Sequence, residues 1–119
     1  MYATVCNPER ELARRLIVAD SLFRRMKGLL GRASLAADEG LWICPCNSVH
    51  TFGMKFPIDV VFLDAGKRVI ALSENLLPNR LTRIHFKAAS VLELPAGTIR
   101  DVSLTIGDEI GINSYYAKP

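Results

Sequence analysis

No window of this 119-residue chain approaches the roughly 18 consecutive apolar residues that a membrane-spanning helix needs. Residues 1–15 hold no basic region followed by an apolar run, so no secretory leader is legible. The expectation is a cytoplasmic protein if the chain is full length, and an exported one if a signal segment was removed. Cysteine is scarce and odd in number: Cys6, Cys44 and Cys46 close no disulfide framework, which points to reduced thiols. The net charge of +3 is mild, and acids lie between the basic clusters at 14–15, 24–32 and 80–87. No nucleic-acid-binding module is recognisable, so these clusters read as a solvated face and a nucleic-acid partner is not expected. Repeats, linkers and low-complexity runs are also missing, which leaves one domain over residues 1–119.

What is present suits a globular protein. Half the residues are apolar and 23% are charged, enough for a core. The alternation over Tyr2–Cys6, the turn at Asn7-Pro8 and the alternation over Leu12–Val18 predict a hairpin of strands at 1–6 and 11–18. Asp20 and Ser21 can cap a helix, and Leu22, Phe23, Met26, Leu29 and Leu30 follow at helical spacing. The helix is expected over 21–30, ended by Gly31.

Further strands are expected at 41–44, 58–63, 68–74, 89–94 and 109–113, with irregular loops at 45–56 and 75–87. Residues 58–63 are apolar on both alternations, which predicts a strand buried on both faces. Gly66 is the expected positive-φ residue of the 64–67 turn. Thr98 and Asp101 suggest a capping box and a short second helix near 98–104, and the tail 114–119 is expected to fray. The fold class is α+β, mostly β: an antiparallel sheet curled toward a barrel or sandwich, with one good helix.

The chemistry is concentrated in residues 44–59, which collect Cys44, Cys46, His50, Met54, Lys55 and Asp59. Cys44 and Cys46, two apart on an extended backbone, point to one face, and His50 could fold back to complete a metal site. That cysteine spacing is atypical for zinc, and burial as small apolar residues at a strand end is the simpler reading. A thiolate paired with His50 and Asp59 has the right residue types for nucleophilic catalysis, but no protease-like signature surrounds it. Asp59 opens the doubly buried strand, so it needs a partner: Lys55, His50, Arg24 or turn amides. Gly28 lies opposite the helix's apolar stripe, where it implies close approach of a segment or of a ligand flanked by Arg24 and Arg32. His85, in the third basic cluster, reads as a surface residue.

The run Arg24-Arg-Met-Lys-Gly28-Leu29-Leu30-Gly31-Arg32, then Met54-Lys55 and Pro57-Ile58-Asp59-Val60 with Phe62 and Asp64, resembles the family called domain of unknown function 192 (DUF192). Gly66, Val91-Leu92-Glu93-Leu94 with Gly97, and Gly107-Asp108 extend the resemblance over about residues 10–112. It implies a compact, mostly β domain with one helix after the first strands, and it supplies no established activity. Many members carry a signal segment and an aromatic residue before the Met-Lys pair; here Gly53 stands at that position, with His50-Thr51 ahead of it.

Three functional classes follow. The first is a binding module for a small anionic ligand or a peptide at the 44–59 loop, using Arg24, His50, Met54, Lys55 and Asp59. The second is a metal- or thiol-dependent protein using Cys44, Cys46 and His50. The third is an interaction protein, which would show an exposed apolar patch. No cofactor and no oligomeric state is legible.

Overall fold

A computed structural model describes residues 1–114, apart from the side chains of Leu22 and Phe23. The expected fraying of the tail falls almost wholly on residues 115–119, outside those described, as do the contacts of Leu22 and Phe23 in the apolar stripe. Strands β1 (Tyr2–Val5), β2 (Arg10–Ala13) and β8 (Ile110–Asn113) form a three-stranded antiparallel sheet in the order β2-β1-β8. Strands β3 (Arg15–Ala19), β4 (Glu39–Ile43), β5 (Ile58–Leu63), β6 (Val69–Leu76) and β7 (Ser90–Pro95) form a second sheet in the order β3-β4-β7-β5-β6. Neither closes into a barrel. Helix α1 (Leu22–Lys27) follows β3, and α2 (Thr98–Asp101) follows β7. Among the described residues no helix is long and apolar enough to cross a membrane.

The second sheet is built around β5 and β7, which pair antiparallel from Ile58↔Pro95 to Leu63↔Ser90. Every residue of β5 is buried, as its double apolar alternation predicts. Val61 and Leu63 of β5, with Leu92 and Leu94 of β7, face the smaller sheet and meet Ala3, Val5, Leu12 and Ile110. Ile58, Val60 and Phe62 face the other way, with Val91 of β7. Leu29, Val49 and Met54 cover that second face.

Several local expectations are corrected. The single strand expected at 11–18 divides at the exposed Arg14: β2 pairs with β1, and β3 crosses to the other sheet. There β3 runs parallel to β4, because the chain returns through α1 rather than through a hairpin. The helix stops at Lys27, and Gly28 is its C-cap rather than an interior residue. Gly28 has φ +50° and its N–H donates to the Arg24 carbonyl at 2.9 Å. A Cβ there would meet only ordinary contacts at 4.0 Å, so backbone conformation explains this glycine, not close approach. In the β5–β6 turn the positive φ falls on Lys67 (+62°) rather than Gly66, while Asp64 Oδ1 accepts from the Gly66 and Arg68 amides. His85 is half-buried, its ring 4.1 Å from that of Phe62 between centroids.

Thr98 does not form a capping box; its hydroxyl donates to the Pro95 carbonyl. The start of α2 is capped from a distance by Asp59. Asp59 Oδ2 accepts from Gly97 N–H (3.1 Å) and Ile99 N–H (2.9 Å), and Oδ1 accepts from Asn75 N–H (2.8 Å). One fully buried carboxylate thus ties β5, β6 and α2 together. Replacing it leaves three donors without their acceptor, on the buried Ile99, the half-buried Gly97 and the exposed Asn75. Asp59→Ala should lower unfolding free energy by about 3 kcal/mol or more in urea denaturation. A loss under about 1 kcal/mol would contradict this account of Asp59.

Candidate functional site

Between α1 and the segment 44–54, on the face of the sheet away from β1, lies a recess of about 70 Å³. It adjoins a wider depression of about 600 Å³, and Arg25, Met26, Ile43, Cys46, Ser48 and His50 line both. Leu29, Leu30, Val49 and Met54 add apolar wall to the inner recess, and Glu93 also lines it.

The covering loop is positioned by β-like bonding to residues 77–89. Cys46 N–H donates to the Ala89 carbonyl, His85 N–H to Asn47, Thr82 N–H to Val49 and Thr51 N–H to Arg80. Thr51, fully buried, is the hub of this pairing: its hydroxyl donates to the Leu77 carbonyl at 2.6 Å and accepts from Arg80 N–H at 2.9 Å. The helix is tied to the loop by Arg25 Nη1, which donates to the Pro45 carbonyl at 3.1 Å.

Glu93 is the group that sequence reasoning missed as a site residue. It stands on central strand β7, beside Leu41 of β4 and Val60 of β5, and is 4% exposed. Its Oε1 is buried and has no hydrogen-bond partner among the described residues. Burial alone pushes its pKa up from 4.5 to about 7, because a carboxylate in apolar surroundings loses its hydration. Arg25 Nε is likewise buried and unpartnered, on a side chain that lines the same recess. Neither of these two atoms has a hydrogen-bond partner among the described residues, so they do not satisfy each other.

The residues expected to act together are dispersed. His50 and Met54 line the recess, Met54 buried and His50 exposed with its ring stacked on Phe52. Arg24 lines a separate recess of about 430 Å³, with Lys27, Arg32 and Ile17. Lys55 is exposed and lines neither the recess nor the depression. Asp59 is engaged with backbone amides on the opposite face of the sheet. The set Cys44, Cys46 and His50 is not assembled: among the described residues no three His, Cys, Asp or Glu side chains are grouped to hold a metal ion. Cys46 is half-buried, and its Sγ–H donates to the Ser48 carbonyl at 3.0 Å. Burial first, and then Glu93 and Cys44 nearby, push its thiol pKa up, so Cys46 offers a neutral thiol rather than a thiolate.

Comparison with known proteins fits this geometry to a family. The model of DUF192, described as "Uncharacterized ACR", matches residues 4–112, and the chain belongs to that family. A UPF0127 protein of Thermococcus sibiricus is 33% identical over 101 residues, 81% of this chain; the chain spans 64% of that protein's length. A UPF0127 protein of Pyrococcus horikoshii is 32% identical over 98 residues, covering 78% of this chain and 83% of the relative. A crystal structure of a Novosphingobium aromaticivorans protein of unknown function superposes with TM-score 0.84 at 22% identity, over 94% of this chain and 84% of the other. One from Sinorhizobium meliloti, named for a suspected role in transcription regulation, gives TM-score 0.79 at 22% identity, over 92% and 90%. At that identity the two structures show the fold alone.

The raised pKa makes Glu93 a pH-dependent load on the fold. It binds its proton more tightly folded than unfolded, so its contribution falls as pH rises from 4.5 to about 7 and is constant above that. The total change is on the order of 3 kcal/mol. His85, whose pKa is lowered by burial and by Arg83, acts with the opposite sign in an overlapping range. The difference between parent and Glu93→Gln therefore isolates the carboxyl. Urea denaturation across this range should show the parent losing stability relative to Glu93→Gln as pH rises; parallel profiles would contradict the assignment.

Proposed function

We propose that the protein is a small-ligand-binding domain whose site is the recess floored by Glu93 and covered by α1 and residues 44–54. One observation carries this reading: Glu93 Oε1 and Arg25 Nε are both buried without a partner, on side chains that line one recess. Buried polar groups are nearly always satisfied, and each left unsatisfied costs about 1–3 kcal/mol. A ligand that presents an acceptor to Arg25 and a donor to Glu93 satisfies both.

The chemistry of that ligand follows. The inner volume of about 70 Å³ admits one small polar group. The outer depression of about 600 Å³ is the size of an ordinary ligand site and takes the body of the molecule. Arg25, Lys27 and His50 supply cationic or protonatable groups, while Glu93 is largely protonated below about pH 7 and tolerates an acid. Met26, Ile43, Val49 and Met54 supply apolar contact. Amides, carboxylic acids and peptide segments that pair a donor with an acceptor fit best. Lys55 and Arg24 lie outside this set, and Asp59 acts in the fold.

Ligand-observed NMR with a panel of dipeptides, small amides and carboxylic acids tests the reading. Bound members should shift backbone resonances of Cys46, Ser48 and His50, and Glu93→Gln, which keeps the shape but not the carboxyl, should weaken them at least tenfold, or about 1.4 kcal/mol. Absence of any binder, or binders that Glu93→Gln holds as tightly as the parent, would count against it.

A further inference from the structure

The paired segments 47–55 and 77–88 bury Val49 and Met54 together with polar groups, yet leave other large apolar side chains exposed. Their inward groups include the hydroxyl of Thr82, which accepts from Val49 N–H, the hydroxyl of Thr51, and the His85 ring packed on Phe62. Their outward groups are large and apolar: Phe52 is 51% exposed, Leu81 67%, Ile84 51% and Phe86 87%, with Leu77 beside them. Cations are interleaved with these residues in the pairs Arg80-Leu81, Arg83-Ile84 and Phe86-Lys87, and Lys55 lies on the other segment. Neither segment contains an Asp or Glu. The backbone bonds from Thr51, Thr82 and His85 hold the two segments together as one ribbon, which carries all of these side chains.

We infer that this ribbon docks the protein onto an anionic lipid surface, its apolar side chains entering the headgroup–acyl boundary and its arginines and lysines meeting lipid phosphates. The observations favour lipid over the alternatives. Lysine is scarce in the core of a protein–protein interface, whereas here Lys55 and Lys87 stand among the apolar residues. Single-stranded nucleic acid needs successive flat aromatic platforms, but Leu77, Leu81 and Ile84 are aliphatic. Mixed apolar and cationic groups without acids are what an anionic membrane interface accommodates. The inference is independent of the recess and its ligand.

Flotation with vesicles of phosphatidylcholine, pure or containing about a third phosphatidylglycerol, tests it. The parent should float with the anionic vesicles and not with the pure ones, and less so as salt is raised. Arg80→Gln/Arg83→Gln should weaken partitioning about fivefold per charge removed. Leu81→Ser/Phe86→Ser, at positions exposed enough to leave the fold intact by thermal denaturation, should weaken it at least tenfold. The proposal is overturned by failure to float with anionic vesicles, or by equal flotation with both kinds. Undiminished flotation of Leu81→Ser/Phe86→Ser overturns it too, as does retention of a single-stranded RNA oligonucleotide by protein that ignores vesicles.

Discussion

The structure depends on one pair of strands, β5 and β7, whose two faces are both covered. A strand pair in that position has no solvent side, so every polar side chain on it needs an internal partner. Two carboxyls sit there, on opposite faces. Asp59 faces the smaller sheet and accepts three backbone N–H bonds, so its burial organises β6 and α2. Glu93 faces α1 and the 44–54 loop, and Oε1 meets no protein donor. The same residue chemistry serves the fold in one place and burdens it in the other. That asymmetry is the reason to read the Glu93 face as the working face.

The elements covering Glu93 are those least supported by regular secondary structure. The helix is six residues long and the loop is irregular. They are held by particular bonds: Arg25 to the Pro45 carbonyl, Thr51 to residues 77–80, and Cys46 to Ala89 and Ser48. Such a cover can leave a recess over the sheet, which close helix packing would fill. The same bonds pair the loop with residues 77–89, so the ligand recess and the cationic apolar ribbon share one segment of chain. His50 belongs to both, lining the recess and stacking on Phe52.

Much of the strand content was legible because it depends on local pattern. The double apolar alternation of 58–63, the turn at 64–67 and the strand near 89–94 all appear close to where periodicity puts them. The division at Arg14 was not legible, since residues 11–18 alternate without a break and only the other sheet draws β3 away. The helix was overextended because the apolar spacing runs on through Leu30, while the chain turns at Gly28. Glu93 was passed over for a related reason. Within Val91-Leu92-Glu93-Leu94 it looks like the solvent side of a half-buried strand, and its burial comes from segments far away in sequence, around Arg25–Leu30 and Ile43–Met54. Adjacency to the doubly buried 58–63 was no signal either, since β6 also flanks it and its Glu74 is exposed. Cys44, Cys46 and His50 lie close in sequence, but among the described residues no three His, Cys, Asp or Glu side chains are grouped to hold a metal ion.

The central claim is that Glu93 is kept in an apolar face for what it binds and not for what it holds together. Its most direct test is the unfolding free energy of Glu93→Leu against the parent at about pH 8, where the carboxyl is mostly ionised. Replacing an unpartnered buried charge with an apolar side chain of similar volume should raise stability by about 1–4 kcal/mol. A loss of similar size would show that the fold itself depends on the carboxyl, and the account of this face as a binding site would lose its foundation.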